Sequence, residues 1–214
     1  MVILNNDLWF PEVSTANEDG IIAIGGDLSP QRLILAYSSG IFPWFNEGEP
    51  VIWWSPDPRM VLFPENFYKS KTFRKTLRTH NYRISINEAF EQVIHQCAII
   101  KRDGQGGTWI TSEMESAYLA LHNSDDAMSI EIWEDKTLVG GLYGVYLKKQ
   151  KVFCGESMFH KKTDVSKIAL SHLVDFCLKE NIKVVDCQVY TSHLESLGAE
   201  EISRLEFLKN LEVN

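Results

Sequence analysis

An α+β fold in two unequal parts is what this 214-residue sequence predicts, and three observations carry that expectation. From residue 127 onward the chain reads as strand, strand, strand, helix, strand, with tight turns joining the first three. Ahead of residue 65, five of the seven prolines crowd into GIFPWFNEGEPVIWWSPDPRMVLFP. Soon after comes a short amphipathic helix whose charges are all of one sign. The expected division is residues 1–64 for a small N-terminal α+β domain and 65–214 for a larger domain with a mixed sheet, the basic helix at 70–80 lying near the boundary.

Taken in order, DLSPQRLILAYSSG predicts a helix with Ser29 as N-cap, Pro30 at its first position, Leu33, Ile34 and Tyr37 on one face and Gly40 at its end. Residues 40–64 follow, and their prolines argue against a helix or a central strand and for a rigid, extended surface segment. Neighbours in an extended run point to opposite faces, so of Trp53 and Trp54 at most one faces a ligand while the other packs inward. In SKTFRKTLRTH, Lys71, Arg74, Lys75 and Arg78 fall at i, i+3, i+4 and i+7, with Phe73 and Leu77 opposite. YRISI alternates like a strand. NEAFEQVIHQC predicts a helix capped by Asn87 with Phe90, Val93, Ile94 and Cys97 inward. KRDGQGG reads as a loop, and the helix beyond it takes Ser112 and Glu115 as a capping box with Met114, Ala117, Tyr118 and Leu121 on one face. MSIEIW, LVGGLYGVYL and KVFCGESM are the three strands, SKIALSHLVDFCLKEN the helix and KVVDCQV the further strand; the remainder reads as mostly helical.

Composition narrows the function classes. With 44% hydrophobic and 23% charged residues the chain is that of a globular protein. It has no apolar run near the roughly 20 residues that span a bilayer, and its N-terminus lacks the marks of a signal peptide, so a cytoplasmic protein is expected. Cys97, Cys154, Cys177 and Cys187 match no zinc or CxxC spacing and read as buried thiols in a reducing compartment. A net charge of −8 argues against nucleic-acid binding by the whole surface, so any such site must be local.

Four features invite chemistry. Asp186 and Gln188 share one face of an apolar strand, where an acid is costly to bury unless paired or used; the plainer alternative is a strand-end acid reaching solvent. Glu156 follows a glycine in FCGES and could hold a cationic group, or could be the exposed acid of a β-bulge. Lys69, Lys71, Arg74, Lys75, Arg78 and Arg83 lie between Glu65 and Glu88 with no acid among them, in a chain with 29 acids. Such a stripe can track about two to four phosphates, although charge runs are usually plain solvated surface. Trp44 and its neighbours could be packed core, yet rings beside a basic stripe also suit single-stranded nucleic acid. KRDGQGG nearly reproduces the pyrophosphate loop of acetyltransferases, but its first position differs and it precedes the three-strand meander, so it reads as a connector.

The strand order from residue 127 resembles the core of the GCN5-related acyltransferase fold, whose sheet splays between the third strand and the strand after the crossover helix. That places CGES and DCQ at a cleft. A coenzyme-A-dependent N-acetyltransferase and a non-catalytic RNA-binding module both share parts of this pattern. Taken together, GGDLSPxRLxxAYxxGIFPWF, WWSPDPR, GTWIT, VGGLYGV, FCGESMF, DCQV and HLxSLGA, from Gly25 to Ala199, resemble the leucyl/phenylalanyl-tRNA–protein transferases.

That resemblance implies transfer of Leu or Phe, and less readily Met, from Leu-tRNA or Phe-tRNA to the N-terminal Arg or Lys of a protein, marking it for degradation through the N-degron pathway. It implies a monomer that needs no metal or coenzyme. By the same resemblance Trp44 and Trp109, with Tyr37 and Tyr118 nearby, surround the donor's terminal adenosine, and Lys71, Arg74, Lys75 and Arg78 meet acceptor-stem phosphates. Leu142, Phe153, Met158, Leu170 and Leu173 accept the Leu or Phe side chain. Asp186, held by Gln188, orients or deprotonates the attacking amine, or serves only as an electrostatic anchor, and Glu156 binds the acceptor's basic end. Two departures stand out: Thr191 replaces a common Asn, and Cys177 replaces a common aromatic, which would enlarge the pocket.

Overall fold

The computed structural model describes residues 2–100 and 109–213, so the KRDGQGG connector lies outside the described residues. The N-terminal part is a four-stranded sheet of β1 (Val2–Leu4), β2 (Ile21–Gly25), β3 (Phe42–Pro43) and β4 (Ile52–Trp54), in the order β1-β2-β4-β3. Between β2 and β3 runs α1 (Pro30–Ser38), capped as expected by the Ser29 hydroxyl, which accepts from the Arg32 N–H.

The larger sheet has seven strands. In chain order its surroundings are β5 (Arg59–Leu62), α2 (Lys71–Thr79), β6 (Arg83–Ile86), α3 (Phe90–Ile99), α4 (Ser112–Asn123), β7 (Ala127–Glu134), β8 (Thr137–Leu147), β9 (Val152–His160), α5 (Val165–Glu180), β10 (Val184–Gln188), α6 (Ser192–Glu195), β11 (Glu200–Ile202) and α7 (Arg204–Asn210). The spatial order is β11-β5-β10-β9-β8-β7-β6, and only β9 and β10 run parallel, as the helical crossover α5 between them requires. The meander, crossover and mixed sheet are those of the expected acyltransferase-like fold. α1, α3 and α4 pack on one face. On the other face α5 and, through Phe73, α2 share a second core. No described helix is long and apolar enough to cross a membrane.

Several elements differ from expectation for identifiable reasons. The proline-rich segment contains two inner strands, β4 and β5, because Pro50, Pro56, Pro58 and Pro64 fall between strands and Pro43 sits on the edge strand β3, where no ladder N–H is missed. Asn87 is not the cap of α3: it sits at φ 60° and its side-chain oxygen accepts from the Ser129 N–H at 2.9 Å. The cap position falls to Ala89, whose N–H is taken at 3.4 Å by the buried Glu131. α4 begins one residue earlier than expected, with the Thr111 hydroxyl accepting from the Met114 N–H at 3.2 Å, so Ser112 and Glu115 form no capping box. The C-terminal stretch holds β11 between its two short helices, paired to β5.

What positions the site is the parting of β9 from β10. They pair at Val184–Val152, Val185–Phe153 and Asp186–Cys154 and go no further. Two register shifts lie at this point. On β9, Ser157 faces Tyr143 and Gly155 faces Gly144, leaving Glu156 as the extra residue of a β-bulge. On β10, Asp186 faces Val61 and Gln188 faces Met60, leaving Cys187 as the extra residue. Gly144 opposite the first bulge has no room for a side chain, since a Cβ there would stand 2.2 Å from the Cys154 carbonyl oxygen.

Candidate active site

The parted strands open a cleft of about 430 Å³. Its apolar floor holds Leu142, Phe153, Met158, Leu170 and Leu173, drawn from β8, β9 and α5, with Val185 and Cys187 from β10. Alternate residues of a strand share a face, which is why Leu142 and Phe153 reach the same space from neighbouring strands. All five residues expected in a side-chain pocket thus line one cavity. Cys177 is not among the lining residues; it lies on α5, fully buried in the core that includes the floor residues Phe153, Leu170 and Leu173.

Trp44 and Trp109 stand on the wall above. Trp44 is 42% exposed, a large apolar surface left open beside the cleft. Trp54 supports it from behind, its indole N–H donating to the Trp44 carbonyl at 2.7 Å and its ring 5.6 Å away. Trp53 turns the other way, fully buried, with its N–H on the Gly25 carbonyl at 2.8 Å and its ring edge-on to Phe10. The turn after β10 forms a rim, where Val189, Thr191, His193 and Leu194 line the cleft; of these only Thr191 was singled out in the sequence. Thr191 also caps α6, its hydroxyl accepting from the Leu194 N–H at 3.2 Å.

Glu156 and Gln188 are the polar groups where the floor meets the rim, and Gln188 donates from its amide to Glu156 at 3.3 Å. Behind Glu156 lies a tyrosine pair. Tyr118 donates to its second oxygen at 2.7 Å, and the Tyr37 and Tyr118 hydroxyls are hydrogen-bonded to each other. Both tyrosines are fully buried, beneath the wall and not on it. Burial pushes the Glu156 carboxyl from 4.5 to about 7, against the opposing pull of the Tyr37 and Tyr118 hydrogen bonds. Burial, with the Glu156 charge beside them, also drives both phenols well above their ordinary range, so they remain donors.

Asp186 does not line the cleft. It is fully buried and gripped at both oxygens by Arg59, with Nε to Oδ1 at 2.8 Å and Nη2 to Oδ2 at 2.7 Å. Its Oδ1 also accepts from the Gln188 N–H at 3.0 Å. Arg59 had a signal that could have found it: a lone cation in the apolar strand RMVL and a lone acid in VVDCQ invite each other. α2 presents Lys71, Arg74, Lys75 and Arg78 to solvent, away from the cleft lining. Arg74 donates to the Lys69 carbonyl at 2.8 Å, whereas Lys71, Lys75 and Arg78 form no ion pair among the described residues. A shallower groove of about 600 Å³ along Leu8–Ser14 against Leu35 and Ser39 carries Glu12 as its one charged group, and it gathers no comparable set of polar side chains.

Comparison with known proteins agrees over nearly the whole chain. The family profile described as leucyl/phenylalanyl-tRNA protein transferase matches residues 61–212, and the one described as its N-terminal domain matches residues 26–57. The leucyl/phenylalanyl-tRNA–protein transferase of Christiangramia forsetii is 56% identical over 211 residues, covering 99% of this chain and 100% of that one. That of Flavobacterium johnsoniae is also 56% identical over 211 residues, covering 99% of each. A solved GCN5-related N-acetyltransferase from Kribbella flavida aligns at 8% identity with a TM-score of 0.41, covering 79% of this chain and 59% of that one. Matched by both profiles, and by relatives more than half identical across almost every residue, this chain belongs to the leucyl/phenylalanyl-tRNA–protein transferase family.

Proposed function

We propose that this aminoacyl-tRNA–protein transferase moves Leu or Phe, and less readily Met, from its tRNA to the N-terminal Arg or Lys of an acceptor protein, creating an N-degron, and that it works as a cytoplasmic monomer. The observation that carries this reading is the single cleft in which an apolar floor of aminoacyl size runs up to Glu156 and Gln188 beneath an open tryptophan. The side chain of the donated residue occupies the floor. A pocket of this kind selects by size, and a methylene is worth only about 1–3 kcal/mol, so Leu, Phe and Met are tolerated together. Trp44 and Trp109 take the terminal adenosine between them, and the Tyr37–Tyr118 pair acts through Glu156 and not on the base.

The reaction is aminolysis of an ester. The acceptor's α-amine attacks the aminoacyl carbonyl carbon, a C–N bond forms, the C–O bond to the ribose breaks, and the ribose oxygen leaves with a proton. An α-amine titrates at roughly 7.7–8.0, so positioning matters more than a strong base. Glu156, with a carboxyl brought to about 7 and a place on the cleft wall, is the group that receives or steers the amine's proton. Asp186, enclosed by Arg59, takes the anchoring role. Single-turnover transfer of labelled Phe from Phe-tRNA to a peptide beginning with Arg tests the whole reading. Acetyl transfer from acetyl-coenzyme A without tRNA, or binding of Phe-tRNA without transfer, would overturn it.

A further inference from the structure

Arg59 does not touch the cleft, yet its guanidinium is held more completely than an ion pair requires. Besides its two bonds to Asp186, Nη1 donates to the Gly40 carbonyl at 3.2 Å, and the rings of Phe42 and Phe207 lie 4.7 and 4.6 Å from the guanidinium carbon. A buried ion pair is weak ground for stability, because well-packed apolar residues often serve as well or better. What apolar residues could not supply is direction. The Asp186 oxygen that accepts from Arg59 Nε is the one that accepts the Gln188 N–H, and Gln188 sits at φ 60°, a left-handed backbone that a residue with a side chain adopts only when its surroundings hold it there. From that turn the Gln188 amide reaches Glu156.

We propose that Arg59 is a positioning residue for the transfer reaction: through Asp186 it fixes the Gln188 turn, and through Gln188 it orients the Glu156 carboxylate on the cleft wall. The proposal rests on the transferase reading above. Lysine keeps the charge but has neither the planar fork for two parallel bonds nor a flat face for the rings.

The experiment uses the full chain, Arg59→Lys, and the double variant Arg59→Met with Asp186→Leu, which replaces the pair by apolar side chains. Thermal unfolding checks each fold. Misplacing a catalytic group by about 1 Å can cost 100-fold. The expected result is therefore a fall in kcat for Phe transfer of at least about 30-fold in both variants, with the KM for Phe-tRNA within about threefold of the parent. A second readout needs no substrate: in a ¹³C NMR titration the Glu156 midpoint in Arg59→Lys moves upward, because the carboxylate loses the Gln188 donor. A folded Arg59→Lys protein with parental kcat and an unmoved Glu156 midpoint would overturn the proposal, as would a folded double variant with parental kcat. Absence of transfer by the parent protein would instead overturn the transferase reading, leaving the NMR titration to decide the role of Arg59.

Discussion

Glu156 is where burial and hydrogen bonding oppose each other most sharply, and its behaviour can be checked in two ways. If the carboxylate is the active form, transfer falls as pH drops through about 7. Tyr118→Phe removes a donor that favours the carboxylate, so the acid limb of the pH–rate profile should move to higher pH; a limb that stays in place would show that Glu156 does not set it. Stability gives the second check. The folded state holds the Glu156 proton up to about 7, whereas an unfolded chain releases it near 4.5, so folding loses free energy as pH rises through that window. Glu156→Gln carries no such charge. Its Tm relative to the parent should therefore be higher at pH 8 than at pH 5, and an equal difference at both would contradict the raised value. Of the site's residues, Glu156, Asp186 and Gln188 were legible as polar groups in apolar strands. Arg59 was legible only as a lone cation in an apolar strand, and the depth of Tyr37 and Tyr118 not at all, because a pairing 127 positions apart in sequence does not name its partner locally.

At the scale of elements, the sequence was most legible where periodicity was strong, as in α1, α2, the β7–β9 meander and α5. It was least legible where a distant side chain replaced local chemistry. The start of α3 is the clearest case: Glu131, fully buried on β7, accepts from Ser85 and Ser129 at 2.5 Å each as well as from the Ala89 N–H, and Ser85 accepts from Trp133. No helix-cap rule applied to residues 87–90 alone could find it. Glu131→Ala leaves these buried donors without a partner, each costing about 1–3 kcal/mol, so a loss of at least about 2 kcal/mol in denaturant unfolding is expected. A change under 0.5 kcal/mol would mean that water or Asn87 takes over. Proline rules failed for a different reason in β5, an inner strand whose flanking prolines bound it without interrupting its ladder.

For the whole molecule the telling contrast is a net charge of −8 against one exposed cationic face on α2. An acidic protein repels an RNA stem at most orientations; if the stem is met on this basic stripe, the stripe also sets how binding responds to salt. Phe73 and Leu77 of α2 border the same apolar core as α5, which supplies Leu170 and Leu173 to the cleft floor. The stripe and the cleft therefore border one apolar core. Each phosphate contact contributes about 0.7–0.9 to the slope of log affinity against log salt. Lys75→Ala with Arg78→Ala removes two exposed side chains with no ion-pair partner among the described residues, so the fold should be unaffected. The double variant should weaken Phe-tRNA binding, flatten its salt dependence by about 1.4–1.8 and leave kcat at saturating donor near the parental value. A parental slope would place the stem elsewhere, whereas a fall in kcat with an unchanged slope would mean that α2 acts through α5 on the pocket and not on the RNA.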